Sequence, residues 1–106
     1  MTQRAESINQ LFAAILSLRD QEECCRFFED ICTVRELQDM AQRYAVAKML
    51  WEKKSYLTIS AETGMSTATI SRVNRSLTYG SGGYQMAIER EMEGKGNGDQ
   101  DGYPEK

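Results

Sequence analysis

Apolar residues recur along this chain at helical spacing, and no stretch alternates as a half-buried strand would. Ile8, Leu11, Phe12, Ile15 and Leu16 follow the i, i+3, i+4, i+7, i+8 stripe and predict a first helix over residues 8–18. Asp20 with Glu23 three places on has the form of a capping box, opening a second helix whose apolar residues are Cys24, Phe27, Phe28 and Ile31. Thr33 with Glu36 repeats the signal and opens the longest helix, residues 34–52. Leu37, Met40, Ala41, Tyr44, Ala47 and Trp51 share one of its faces, and Lys53 and Lys54 close it as cations should.

Three shorter helices follow. Ser55 can cap one over 56–63, Gly64 can take the positive φ that ends it, and Ser66 can cap another over 67–77. Gly80-Ser81-Gly82-Gly83 reads as a loop, and Tyr84, Ala87, Ile88, Glu91 and Met92 as a last helix over 84–93. The chain has one proline, Pro104, and before residue 80 one glycine, so nothing interrupts an all-α body. The expectation is a single helical domain over 1–93: dimerisation and scaffold helices at 8–52, a helix-turn-helix at 55–77, and a C-terminal helix. The segment 94–106, GKGNGDQDGYPEK, is glycine-rich and polar and is expected to be disordered.

With 106 residues, 41% hydrophobic and 27% charged, the composition is that of an ordinary soluble domain. No apolar run is long enough to span a membrane and the polar start MTQRAESINQ lacks a signal-peptide core, which points to a cytoplasmic protein. Cys24, Cys25 and Cys32 are odd in number and two are adjacent, so buried free thiols are expected rather than disulfides or a metal site. The absence of histidine excludes Ser-His and Cys-His catalysis, the carboxylates at Asp20, Glu22 and Glu23 sit where capping explains them, and GSGG (80–83) lacks the lysine of a phosphate loop. The chain is not read as an enzyme, and no cofactor is expected.

Charge changes the picture further. The net charge is -3, yet residues 1–42 carry -4, residues 43–77 carry +4 and residues 78–106 carry -3. A basic island therefore lies between acidic flanks, over the predicted helix-turn-helix, and the local field governs phosphate binding. In the second helix, STATISRVNRSL (66–77), placing Ile70, Val73 and Leu77 inward turns Ala68, Ser71, Arg72 and Arg75 outward. Small residues admit the backbone to a major groove, hydroxyls exchange hydrogen bonds with base edges, and arginines reach guanine or phosphate. Thr67, Ala68, Ser71 and Arg72 are the candidate base contacts; Lys53, Lys54, Thr58, Ser60 and Arg75 are the candidate phosphate contacts; Gly64 sets the turn and Ser66 caps the reading helix.

The run ATISRVNRSL (68–77) resembles the reading helix of the bacterial Trp repressor, where an ATIT-R-x-x-x-SL pattern occurs. EECCRFFEDICTVRELQDMAQRYAVAKML (22–50), followed by AETG and STATISRVNRSL, is similar to the Trp-repressor-related YerC/YecD family. The similarity covers about residues 8–92. It implies a Trp-repressor-like all-α fold, an intertwined homodimer that presents two reading helices to successive major grooves of double-stranded DNA, and a sequence-specific transcriptional regulator, a repressor by analogy. It also places Arg43, Arg72, Thr33 and Ser76 where that repressor surrounds its bound tryptophan. Matching Arg43 requires a connection one residue shorter, and Val73 stands where the repressor has a glycine that admits the indole. The resemblance therefore carries DNA binding but not tryptophan. Two other readings stay open: a helical protein-interaction module that docks through 56–77, and a repressor gated by a different small ligand.

Overall fold

The computed structural model describes residues 3–95, which form six helices with no strand among them: α1 Gln3–Leu16, α2 Gln21–Ile31, α3 Val34–Trp51, α4 Tyr56–Thr63, α5 Thr67–Tyr79 and α6 Gly83–Lys95. The described residues fall into two units, 3–34 and 35–95.

In the first unit, α1 begins five residues before Ile8, because Gln3, Arg4, Ala5 and Glu6 favour helix although they carry no apolar stripe. It ends at Leu16 rather than Leu18. There the chain tightens into i→i−3 bonds, Ser17 N and Leu18 N donating to the Ala14 and Ile15 carbonyls at 3.1 Å each, while the Ser17 hydroxyl also donates to Ala14 O at 2.6 Å. The predicted cap of α2 forms: the Asp20 side chain accepts from Glu23 N at 2.9 Å. Glu23 returns the bond one residue upstream, accepting from Arg19 N at 2.8 Å. Cys24, Cys25 and Cys32 form no disulfide and are half-buried, not fully buried, and Cys25 Sγ donates to Glu29 Oε2 at 3.2 Å. Large apolar side chains of this unit remain in water, with Leu16 84% and Phe12 55% exposed.

The second unit holds the core. Val46 and Ala47 of α3, Ile59 of α4, Ile70 and Val73 of α5 and Ile88 of α6 are buried together, and Tyr44, Met49, Leu50, Trp51, Tyr56, Met65 and Tyr84 pack around them. Only the C-terminal half of α3 contributes, so Met40 and Ala41, expected on its buried face, are exposed. α5 packs against both α4 and α6. Two polar links fix α6. The Tyr44 hydroxyl donates to Glu91 Oε1 at 2.8 Å and Lys48 Nζ to Glu91 Oε2 at 2.9 Å, tying α6 to α3. Gln85 Nε2 donates to Leu77 O at 3.1 Å, tying it to the end of α5.

The bounds of α5 and α6 also differ from the sequence reading. α5 continues through Thr78 and Tyr79, since the first residue unsuited to a helix is Gly80; a Cβ at Gly80 would collide with the Ser76 carbonyl oxygen. α6 starts at Gly83 and runs on through Gly94 to Lys95, because one glycine weakens a helix by only about 1 kcal/mol and does not end it. The remainder of the predicted disordered tail, 96–106, lies outside the described residues.

Tyr44 supplies a pH-dependent test. Its partial burial, together with the Glu91 carboxylate it bonds, pushes the phenol from the ordinary 10.0 up to about 12. The folded state then holds that proton more tightly than the unfolded chain, so its contribution is complete below pH 10 and is lost between pH 10 and 12. Tyr44→Phe should cost about 1 kcal/mol at neutral pH. In urea melts, the difference between wild type and Tyr44→Phe should shrink across that alkaline window; an unchanged difference would show that folding does not raise the Tyr44 pKa.

Candidate nucleic-acid interface

The helix pair α4 and α5 is shaped by its hydroxyl residues. Ser55 caps α4, its oxygen accepting from Thr58 N at 3.1 Å, and its own proton goes to Thr58 Oγ1 at 3.0 Å. Gly64 ends α4 in the left-handed region, φ 76° and ψ 3°, with its N–H on Ser60 O at 2.8 Å. A side chain would meet no atom there, so it is the backbone conformation that favours glycine. Ser66 caps α5 by accepting from Thr69 N at 3.1 Å.

Between these caps the turn residues are fastened by two side chains. Thr63 donates to Ile59 O at 2.7 Å and accepts from Met65 N at 3.1 Å. Ser60 donates to Met65 O at 2.9 Å. Each of these contacts satisfies a part-buried backbone group that would otherwise cost free energy. Ser60, expected from the sequence to contact phosphate, is half-buried and its hydroxyl donates to the turn, its position one turn before Gly64 directing it at the connection. Thr63 is a hydrogen-bonding position of the turn rather than an apolar one. The signal was present as a hydroxyl residue on each side of α4's last turn.

α5 divides into two faces. Ile70, Val73 and Leu77 are 0%, 3% and 8% exposed. On the opposite side Ala68, Ser71, Arg72 and Arg75 are all exposed and together line a shallow recess of about 210 Å³. Four of the outward residues named from sequence are thus brought to one surface, with two guanidinium groups and a hydroxyl around a small-residue floor. Thr67, in the first turn, is exposed, and so is Thr58 in the first turn of α4.

The two lysines that end α3 have distinct geometry. Lys53 N donates to Leu50 O at 2.9 Å and Lys54 N to Met49 O at 3.0 Å, the paired bonds of a Schellman motif. Lys53 occupies the left-handed position, φ 68°, where glycine is normal. Lys54 is exposed and pairs with Glu62 Oε1 at 3.6 Å. That pair, at the surface with both side chains partly in water, is weak and its lysine can exchange partners.

The residues matched to an effector pocket are dispersed in character. Arg43 and Ser76 are exposed, Arg72 lines the recess with Ala68, Ser71 and Arg75, and Thr33 belongs to the first unit. Val73 is core. Among the described residues no group of three His, Cys, Asp or Glu side chains is placed to hold a metal, and no helix is long and apolar enough to cross a membrane.

Six helices with this pairing make a Trp-repressor-like, all-α protein. The chain belongs to the family described as Trp repressor protein, which matches residues 6–92. It is 56% identical over 90 residues to the uncharacterized protein YerC of Bacillus subtilis (strain 168), covering 85% of this chain and 86% of that one. A TrpR-like protein from Eubacterium eligens superposes with a TM-score of 0.79 at 55% identity, covering 82% of this chain and 90% of the other. A Staphylococcus aureus protein described as a candidate Trp repressor gives a TM-score of 0.78 at 46% identity, with 87% and 96% covered.

Lys53→Gly should raise the unfolding free energy by about 1 kcal/mol, because glycine removes the left-handed strain of a residue with a side chain. Denaturant melts at neutral pH check this, and a loss of stability would mean that the lysine stem packs usefully.

Proposed function

We propose that the protein is a homodimeric, double-stranded-DNA-binding transcriptional regulator, a repressor by analogy with its family, that reads DNA through α5 as the second helix of a helix-turn-helix. The observation that carries this reading is the exposed surface of Ala68, Ser71, Arg72 and Arg75 opposite a face committed wholly to the core. A helix whose outward side chains are small at the N-terminal end and cationic further on can seat its first turn against base edges while its arginines engage guanine or phosphate. Thr67, Ala68, Ser71 and Arg72 take the base-reading role. Lys53, Lys54, Thr58 and Arg75 hold phosphates, which sets register without reading sequence. Nothing in this set performs chemistry on a substrate, which accords with a regulator rather than an enzyme.

Dimerisation is supported by the large apolar side chains that one chain leaves in water, Ile8, Phe12 and Leu16 of α1 and Ile31 at the end of α2. A two-fold dimer also suits DNA reading, since it sets two helices about 34 Å apart, one helical turn of the duplex. Tryptophan is not its effector in this reading, because Val73 fills with a β-branched side chain the space that an indole would need. A thermal-shift titration in which tryptophan raised the melting temperature would contradict that statement.

Binding to duplex DNA should fall steeply with salt, as counterion release requires. Arg72→Ala should weaken binding to the preferred site by about 1–3 kcal/mol and relax specificity. Lys54→Ala should weaken binding to all sequences and lower the salt slope by about one. Anisotropy titrations over a salt series measure both; two variants indistinguishable from wild type would remove α5 and its flank from the interface, leaving 56–77 as a surface for protein partners.

A further inference from the structure

The helix α5 is one half-turn longer than its apolar pattern, and the added residues end in Tyr79, which is 82% exposed. Successive residues are about 100° apart around a helix, so relative to Arg75 the side chains of Ala68, Ser71 and Arg72 lie within about 60°. Tyr79 lies about 40° from Arg75, inside that same stripe, one turn further on, whereas Val73 and Leu77 lie roughly opposite. The phenol is not used by the fold: its ring is outside the core, and among the described residues no hydrogen bond engages its hydroxyl.

We propose that Tyr79 is a further DNA-positioning residue whose hydroxyl donates to a phosphate oxygen on the wall of the groove that α5 enters. This rests on the reading of α5 as the DNA-reading helix. From Ala68 to Tyr79 the helix rises about 16 Å, and the major groove is about 12 Å wide. A helix seated by its first turn has therefore left the base edges by Tyr79 and reached the sugar–phosphate backbone. No basic residue stands in the last turn of α5, so hydroxyls are what that end of the helix offers to a phosphate, and of Ser76, Thr78 and Tyr79 the phenol lies nearest the Arg75 stripe and reaches furthest from the backbone. The connection that follows, Gly80-Ser81-Gly82, carries no bulky side chain to hold the backbone away. Tyrosine hydroxyls are regular phosphate donors, and because the phenol is neutral the contact releases no counterion.

That neutrality gives the test. The full chain, its Tyr79→Phe, Tyr79→Ala and Arg75→Ala variants are titrated by anisotropy against a labelled mixed-sequence duplex over a salt series, with oligomeric mass measured in parallel. Tyr79→Phe should bind about fivefold to tenfold more weakly at every salt concentration with an unchanged salt slope, and Tyr79→Ala at least as weakly. Arg75→Ala should lose affinity and lower the slope by about one. Tyr79→Phe binding like wild type, a loss confined to Tyr79→Ala, a changed slope for Tyr79→Phe or a changed oligomeric mass would each overturn the proposal. If Arg75→Ala weakens binding and Tyr79→Phe does not, the Tyr79 contact alone falls. If wild type itself shows no binding to the duplex, the DNA-reading role of α5 falls and this contact with it.

Discussion

Burial of one stripe of α5 between α4 and α6 is the constraint on which the second unit depends. Ile70 and Val73, with Leu77 beside them, meet Ile59, Ile88, Val46 and Ala47, and among the described residues no other side chain is buried. Each fully buried aliphatic side chain contributes about 1.5–3 kcal/mol, so a core this small leaves little room to move any one of them. Because α5 spends one face on that core, its opposite face is held in a fixed orientation, and Ala68, Ser71, Arg72 and Arg75 come together on it. The proposed interface is thus a consequence of packing on the other side of the same helix.

The angle between α4 and α5 is governed by hydrogen bonds of a kind that an apolar pattern does not report. Gly64 provides the left-handed backbone, and Ser60 and Thr63 bind both polar groups of Met65. With Ser55 and Ser66 at the helix starts, four hydroxyl side chains define where both helices begin and how the turn closes. Lys53 stands against this economy: it holds a position that glycine would occupy with less strain, immediately before α4. In the proposed reading its charge lies on the flank that phosphates approach, which gives a reason for a cation where conformation favours glycine.

Much of this architecture is legible in the sequence. The bounds of α4 follow from Ser55 and Gly64 and the start of α5 from Ser66, since caps and left-handed stops are local chemistry. The buried face of α5 follows from three residues at helical spacing. The last two residues of α5 do not, because Thr78 and Tyr79 have neither an apolar stripe nor a breaker; the helix ends at Gly80, whose extended backbone leaves no room for a Cβ against the Ser76 carbonyl. The half of α3 that is buried is equally unreadable from periodicity: Met40 and Ala41 match the stripe as well as Ala47 does, and only the placement of α4 to α6 decides between them. Ser60 is legible in the sequence as a polar residue of α4, but its direction is set by the turn it fastens.

Membership of the Trp repressor family rests on the match over residues 6–92, a span that includes the whole of the two-faced α5. Val73 is buried in the core, and in the proposed reading its side chain takes the space an indole would need while α5 keeps the DNA-reading role. The most direct test of the proposed function is a hydroxyl-radical footprint on a genomic fragment that the protein selects from a pool of its host's DNA. Two protected patches related by two-fold symmetry and centred one helical turn apart, about 34 Å, are the result expected of paired α5 helices. No selected fragment at low salt, or a single asymmetric patch, would contradict it.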